Sequence, residues 1–220
     1  MSGAARDSGD RPSGGGGRLD RIVDRWTLGV GVLRNVSVRV GFNMGMGAYL
    51  LGYVATYVLL AIEAGGSLND YLTPNSKFVY EPVGWIFYGA HTVPVSSSNL
   101  DGSENVNYLL NAHDALGMAI PTVIYYAVPV AVLGLAGYLA ARRVDARRQV
   151  TGILAGASVV FGYFVLAYFG AYFFEVMIGR NQYVKPDVTT SLLVIGLAYP
   201  IVFGAIGGSI AVSRAPEPLS

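Results

Sequence analysis

The 220-residue chain has the composition of a membrane protein: apolar residues make up 53%, charged residues 13%, and the mean hydropathy is +0.46. A soluble domain carries about 25% charged residues, and a disordered chain combines low hydrophobicity with high charge, so both classes are excluded. The absence of cysteine excludes disulfides, thiolate metal sites and a cysteine nucleophile, and a net charge of +1 gives no basic footprint for nucleic acid.

Two segments precede the first apolar run. Residues 1–17 are rich in Gly, Ser and Asp, which predicts a disordered cytoplasmic tail. In residues 18–39, apolar residues recur at helical spacing while arginines mark another face. This basic juxtamembrane segment is interpreted either as an amphipathic helix on the inner leaflet or as an extension of the first spanning helix; Gly29 and Gly31 weaken a continuous helix.

Four windows free of Asp, Glu, Lys and Arg are each long enough to cross a bilayer, because a spanning helix needs about 20 apolar residues. They predict an all-α membrane protein with a four-helix transmembrane domain over residues 40–213. The predicted spans are about 40–62, 117–141, 152–176 and 189–212. Pro121 and Pro129 in the second span and Pro200 in the fourth are expected to kink or loosen their helices.

The distribution of basic residues predicts the orientation. With four crossings, twelve of the fifteen lie on the side of the termini, and Lys77, Arg180 and Lys185 lie on the other side. Because arginine and lysine favour the cytoplasmic side, we expect a multi-pass protein of the cell membrane with cytoplasmic termini, including the tail 214–220.

The first outer loop, 64–114, is predicted to contain a short extracytoplasmic helix. The apolar stretch 83–95 has only 13 residues, which suits an interfacial or re-entrant segment better than a crossing. Within it, VGWIFYGAH (83–91) has helical apolar spacing, and Trp85 and Tyr88 are typical of the headgroup level. We expect this helix to pack on the outer end of the bundle. Residues 96–107 are expected to form a solvent loop, and 105–114 a second short helix.

Small residues and tyrosines predict how the helices pack. Three G-x-x-x-G pairs, which let backbones approach closely in a bilayer, are Gly41 and Gly45, Gly152 and Gly156, and Gly204 and Gly208. Packing inside the bundle is the favoured interpretation, and homodimerisation is the alternative. In the first span, Tyr49, Tyr53 and Tyr57 are stacked and expected to hydrogen-bond across the bundle.

The third span is unusually aromatic, and Phe164, Tyr168, Tyr172 and Glu175 share one helical face. One interpretation is a ligand-binding stripe, in which ring faces bind an organic cation and Glu175 supplies the counter-charge. The other is helix packing with an aromatic belt and Glu175 at headgroup level. We favour the second, because Glu175 sits near the outer end of the span.

The only candidate metal ligands are weak ones. His113 and Asp114 form a dipeptide of the kind that some metal hydrolases use, and His91 would join them if the loop folds back. A metal site needs three or four ligands in fixed geometry, so hydrogen-bonded loop histidines are favoured. We expect no metal, no cofactor and no enzymatic activity.

Two stretches, GAYLLGYVATYVL (47–59) and VGWIFYGAHTV (83–93), together resemble a family of uncharacterised multi-pass membrane proteins from haloarchaea, loosely labelled transporters. The resemblance covers most of residues 40–212. It implies a Gly/Tyr-rich first crossing, an outer aromatic segment and three more crossings, but it implies no reaction and no catalytic residue.

The sequence therefore favours an integral membrane protein that is either a small transporter-like protein or a non-catalytic scaffold or subunit of a larger complex. The expected partners are the lipid bilayer and either a second copy or another membrane protein. No nucleic-acid partner is expected.

Overall fold

The computed structural model describes residues 38–72, 79–99, 102–177 and 183–214. The predicted tail 1–17, nearly all of the juxtamembrane segment 18–39 and most of the tail 214–220 therefore lie outside the described residues.

Most described residues are helical. In chain order the elements are α1 (Val38–Ala64), α2 (Leu68–Leu72), α3 (Tyr80–Gly89), β1 (Val95–Asn99), β2 (Gly102–Val106), α4 (Tyr108–Leu116), α5 (Thr122–Arg143), α6 (Gln149–Ala157), α7 (Val160–Phe173), β3 (Val176–Met177), β4 (Tyr183–Pro186), α8 (Val188–Thr190), a π-helix (Ser191–Ala198) and α9 (Tyr199–Ser213).

Within the described part of the chain, four helical stretches are long and apolar enough to cross a membrane, as predicted. They are α1, α5, the third span Gln149–Phe173 (α6 and α7) and the fourth span Val188–Ser213 (α8, the π-helix and α9). We call the end of the bundle that carries the described residues of the ranges 65–121 and 174–187 the loop end. The opposite end, where α5 and the fourth span finish, is called the arginine end.

Two spans differ from their approximate predicted boundaries. The second span begins at Thr122 rather than at 117, because Gly117 ends α4 in the left-handed conformation, with a φ of 60°, and Pro121 precedes the first helical residue. Pro121 therefore starts the span instead of kinking it. The Glu63 carboxylate holds this junction by accepting a hydrogen bond from the Ala119 N–H at 3.0 Å.

The third span runs from Gln149 to Phe173 rather than over 152–176, because the chain becomes extended after Phe174 and forms β3. This strand belongs to an antiparallel four-stranded sheet with the order β2-β1-β4-β3. The all-α prediction is therefore wrong at the loop end, where part of the expected solvent loop 96–107 forms the β1–β2 hairpin. Val95 pairs with Pro186 across the sheet, a contact that is remote in sequence.

The second short loop helix is present, at Tyr108–Leu116 rather than 105–114. Asn107 caps it, because its side-chain carbonyl accepts hydrogen bonds from the Leu109 and Leu110 N–H groups at 3.1 and 3.4 Å.

Glycines set the contacts between the spans. A Cβ atom at Gly152 would lie 2.7 Å from the Gly208 carbonyl oxygen, and one at Gly156 would collide with the Gly204 carbonyl oxygen. On α1, a Cβ atom at Gly45 would come within 2.7 Å of the Tyr163 backbone nitrogen. The remaining member of the three pairs, Gly41, lies against Ser158. All three pairs thus lie at backbone contacts inside the bundle.

The fourth span contains a π-helix, in which backbone hydrogen bonds connect residues five apart. At its end the Tyr199 N–H bonds to the Val194 carbonyl. Pro200 follows directly and has no N–H to donate, so the regular α-helical hydrogen-bond pattern is interrupted at this point.

Candidate functional site

Helix α3 is buried on every side. All residues from Glu81 to Gly89 are buried, and the following Ala90 and His91 are fully so. A helix that is apolar all round belongs inside a protein rather than on its surface. The helix is thus enclosed by the bundle rather than laid on its surface, and the position of Trp85 and Tyr88 at headgroup level stays a prediction.

Three polar side chains align α3 with the third span. The Trp85 Nε1–H donates to the Phe174 carbonyl at 2.8 Å, and the Tyr88 hydroxyl donates to the Ala167 carbonyl at 2.7 Å. His91 Nε2 lies 2.9 Å from the Tyr163 hydroxyl. Residues later in this segment bond to residues earlier in the third span, so α3 and α7 are antiparallel. The end of α3 therefore lies beside the middle of the third span.

Helix α1 closes the opposite side of α3. The Phe87 ring packs edge-to-face against Tyr49 and Tyr53, with ring centroids 5.1 and 6.1 Å away. Gly52 makes room for it, since a Cβ atom there would lie 3.0 Å from the Phe87 ring. The Tyr49 hydroxyl lies 3.0 Å from that of Tyr88 and donates to it, because Tyr88 gives its own proton to Ala167.

The tyrosines of α1 therefore differ in their roles. Tyr49 bonds across the bundle to α3, and the Tyr53 hydroxyl donates to the Tyr80 carbonyl at 3.2 Å. The expectation of cross-bundle bonds holds for these two, whereas Tyr57 is 42% exposed on the outside.

His91 has a defined tautomer at the end of α3. Its Nδ1 lies 2.8 Å from the Phe87 carbonyl oxygen, which can only accept, so Nδ1 carries the proton and Nε2 accepts from Tyr163. The Tyr199 ring of the fourth span lies 5.0 Å away, centroid to centroid. Burial lowers the pKa of His91 from 6.5 to about 4, which keeps the ring neutral at neutral pH.

The weak metal candidates do not form a cluster. His113 Nδ1 lies 3.7 Å from Asp114 Oδ1 in α4, whereas His91 is enclosed by aromatic rings at the end of α3. Among the residues that the structure describes, no three His, Asp or Glu side chains are grouped so that they could hold a metal ion.

The structure separates the predicted aromatic stripe into two parts. Phe164 packs against Gly196 of the π-helix. Tyr168 and Tyr172 contact each other, with ring centroids 5.3 Å apart, and are 39% and 47% exposed on the outer surface of the third span. Ligand binding by this stripe stays a prediction.

Glu175 lies beside a cation of the protein itself. The Lys185 ammonium is 3.3 Å from the Glu175 carboxylate, 4.6 Å from the centre of the Tyr183 ring and 5.6 Å from that of Tyr172. We call Tyr172, Glu175 and Tyr183 the ammonium cage. Sequence reasoning missed Lys185 and Tyr183, because only the pairing of Val176 with Val184 brings the two strands into this register.

Asp187 connects the turn after α3 with the start of the fourth span. Its N–H donates to the Pro94 carbonyl at 2.9 Å, and its carboxylate caps α8 by accepting from the Thr190 N–H at 2.7 Å. The turn after α3 is thereby fixed to the start of the fourth span.

Residues 29–215 match a family of unknown function, DUF7978. The chain belongs to this family. No curated protein and no solved structure matches the chain. The DUF7978 match spans every residue described above, including α3 and the ammonium cage. The resemblance to haloarchaeal membrane proteins stays a prediction.

Proposed function

We propose that this DUF7978 protein is a multi-pass protein of the cell membrane that acts as a non-catalytic scaffold or as the membrane subunit of a larger complex. The observation that carries the proposal is the position of α3. This helix fills the space between α1 and the third span at the loop end, where a solute path through the bundle would have to open.

The polar groups of α3 support a packed centre rather than a path. Trp85, Tyr88 and His91 each bond to a partner inside the chain. Substrate paths in membrane proteins are lined by polar or charged groups that face a water-filled cavity. Here the Trp85, Tyr88 and His91 side chains are buried and already paired with groups of the chain itself.

The rest of the bundle supports the same function. Backbone contacts at Gly137, Gly152 and Gly156 with the fourth span leave no room for a Cβ atom, and therefore none for water between these helices. Such close contact is the usual means of holding membrane helices together.

Flux and association measurements on the full-length protein test this proposal. In liposomes we expect no uptake of small organic cations or protons above that of protein-free vesicles. In the native membrane we expect chemical cross-linking to trap a specific partner, either a second copy or another membrane protein. Saturable uptake, together with a monomer that cross-links to nothing, would contradict the scaffold function.

A transporter-like function is the second candidate, and the ammonium cage is the observation that favours it. A carboxylate and two aromatic faces are suited to an organic cation. If the cage belongs to a transport path, Glu175→Gln and Tyr172→Ala should each reduce uptake of an organic cation at least several-fold. Uptake that both variants leave unchanged would separate the cage from transport.

A further inference from the structure

We propose that Tyr172, Glu175 and Tyr183 form a binding site for the ammonium group of an external ligand, and that Lys185 occupies this site as an internal competitor. The site is an addition to the scaffold function and does not depend on it.

The chemistry of the cage matches an ammonium ligand. Aromatic ring faces attract a cation whose nitrogen lies within about 6 Å of the ring centre, and both tyrosine rings meet this distance for Lys185. Glu175 adds a full negative charge 3.3 Å from the same nitrogen. Lys185 therefore marks where a ligand ammonium would sit.

The two tyrosine rings of the cage are accessible to an approaching ligand. Tyr172 is 47% exposed and Tyr183 is 37% exposed, while the Lys185 and Glu175 side chains keep 22% and 29% of their surface accessible. The Glu175–Lys185 pair is part-buried and keeps contact with solvent, which partly screens its attraction. Lys185 also has a flexible four-carbon stem, so its ammonium can leave the cage without movement of β4.

The tether of Lys185 should make an external ligand bind weakly to the wild-type protein. A group on a short flexible tether has an effective concentration on the order of millimolar or above. Lys185 therefore competes with any free ammonium ion, and removal of its charge should increase ligand affinity. Two kinds of external ligand carry a suitable ammonium group: a lipid with a choline-type headgroup and a soluble organic cation.

The test uses the full-length protein in a maltoside detergent, with tetramethylammonium as the probe and saturation-transfer NMR of its methyl signal as the readout. Lys185→Met keeps most of the stem and loses the charge, so we expect it to bind the probe at least ten-fold more tightly than the wild type. Lys185→Arg keeps a cation and should bind as weakly as the wild type. If Lys185→Met is unstable in detergent, Lys185→Gln provides the same comparison.

The cage residues are tested in the Lys185→Met background. Adding Glu175→Gln or Tyr183→Leu should remove most of the gained affinity, whereas Tyr57→Leu, at an exposed tyrosine of α1, should leave it unchanged. The proposal is overturned if Lys185→Met binds no more tightly than the wild type, or if the gain survives both cage substitutions. Neither result would alter the flux and cross-linking tests of the scaffold function.

Nanodiscs distinguish the two sources of the ligand. If the site accepts lipid headgroups, Lys185→Met should bind tetramethylammonium several-fold more weakly in phosphatidylcholine discs than in phosphatidylglycerol discs. Equal affinity in both discs supports the site as one for a soluble cation. Loss of probe binding in both discs, with the protein still folded, would count against the site.

Discussion

At the residue scale, Trp85 and Tyr88 of α3 and the following His91 each have a specific partner that compensates for their removal from water. A buried donor or acceptor without a partner is costly, whereas a paired one contributes only modestly to stability. Tyr88 illustrates this, since its hydroxyl donates to Ala167 and accepts from Tyr49. Substitutions in this cluster should therefore act mainly through the groups that they leave unpaired.

Tyr88→Phe should destabilise the protein by about 1–2 kcal/mol, because it leaves both the Ala167 carbonyl and the Tyr49 hydroxyl without their buried partner. The measurement is thermal unfolding in detergent. Tyr57→Phe, at an exposed tyrosine, serves as the matched control and should change the midpoint little. Equal effects of the two substitutions would contradict the importance of the buried pair.

The buried His91 should make stability depend on pH. Burial lowers its folded-state pKa to about 4, so between pH 6.5 and about 4 the unfolded chain binds a proton that the folded chain does not. Stability should therefore fall as the pH falls through this window, by about 3 kcal/mol in total. Below about pH 4 and above pH 6.5 this contribution should be constant.

Comparison of unfolding midpoints from pH 7.5 to pH 4 for the wild type, His91→Gln and His113→Gln isolates this effect. His91→Gln removes the titrating ring, so its midpoint should vary less with pH. His113→Gln is the matched control, because it changes a histidine of α4 that lies away from the buried ring. An unchanged pH dependence in His91→Gln would show that other groups cause it.

At the element scale, burial and sheet formation explain where sequence reasoning succeeded and where it failed. The four spans were predictable because placing a charged residue in lipid is costly, so each span appears in the sequence as a long segment without charged residues. The burial of α3 was harder, because about a dozen apolar residues suit both an interfacial helix and a buried one. The useful clue was that Trp85, Ile86, Phe87 and Tyr88 leave no polar face.

The sheet and the ammonium cage could not be predicted by local patterns. The Ser- and Asn-rich sequence around β1 lacks the alternation of a half-buried strand, and its pairing with β4 depends on residues almost ninety positions away. Lys185 meets Glu175 only because β3 and β4 pair in one register. Such contacts follow from tertiary structure.

Glycine substitutions test the contacts between elements. Gly156→Ala should destabilise the protein by about 1–3 kcal/mol, because the new methyl group would collide with the Gly204 backbone and overpacking forces backbones apart. Gly47→Ala is the matched control, since nothing lies within 4 Å of its Cβ position, and it should stabilise α1 by about 0.5–1 kcal/mol. The same change in midpoint for both variants would contradict this packing.

At the scale of the whole molecule, charge separates the two ends of the bundle. Five exposed arginines at the arginine end are Arg142, Arg143, Arg147, Arg148 and Arg214. Among the described residues of this end, the acidic one is Asp145, whose carboxylate pairs with Arg147 at 3.1 Å. At the loop end, the described charged residues are mostly acidic. This asymmetry supports the proposed orientation with cytoplasmic termini.

The lack of cysteine allows a direct test of this orientation. A single cysteine at Asp70→Cys, an exposed position of the loop end, should react with a membrane-impermeant maleimide in intact cells. Arg214→Cys at the arginine end should react only after the cells are permeabilised. The reverse pattern, or labelling of both sites in intact cells, would contradict the predicted topology.

The antiparallel pairing of α3 with α7 constrains how the protein is made. The partners of Trp85, Tyr88 and His91 lie 89, 79 and 72 residues further along the chain, so α3 leaves the ribosome well before any of them exists. Until the third span is inserted, α3 can pack against α1 but its α7-facing side is uncovered, and a nascent chain stalled after the second span should present that side to chaperones and proteases. Insertion of the third span is therefore the step of biosynthesis that should complete the burial of α3.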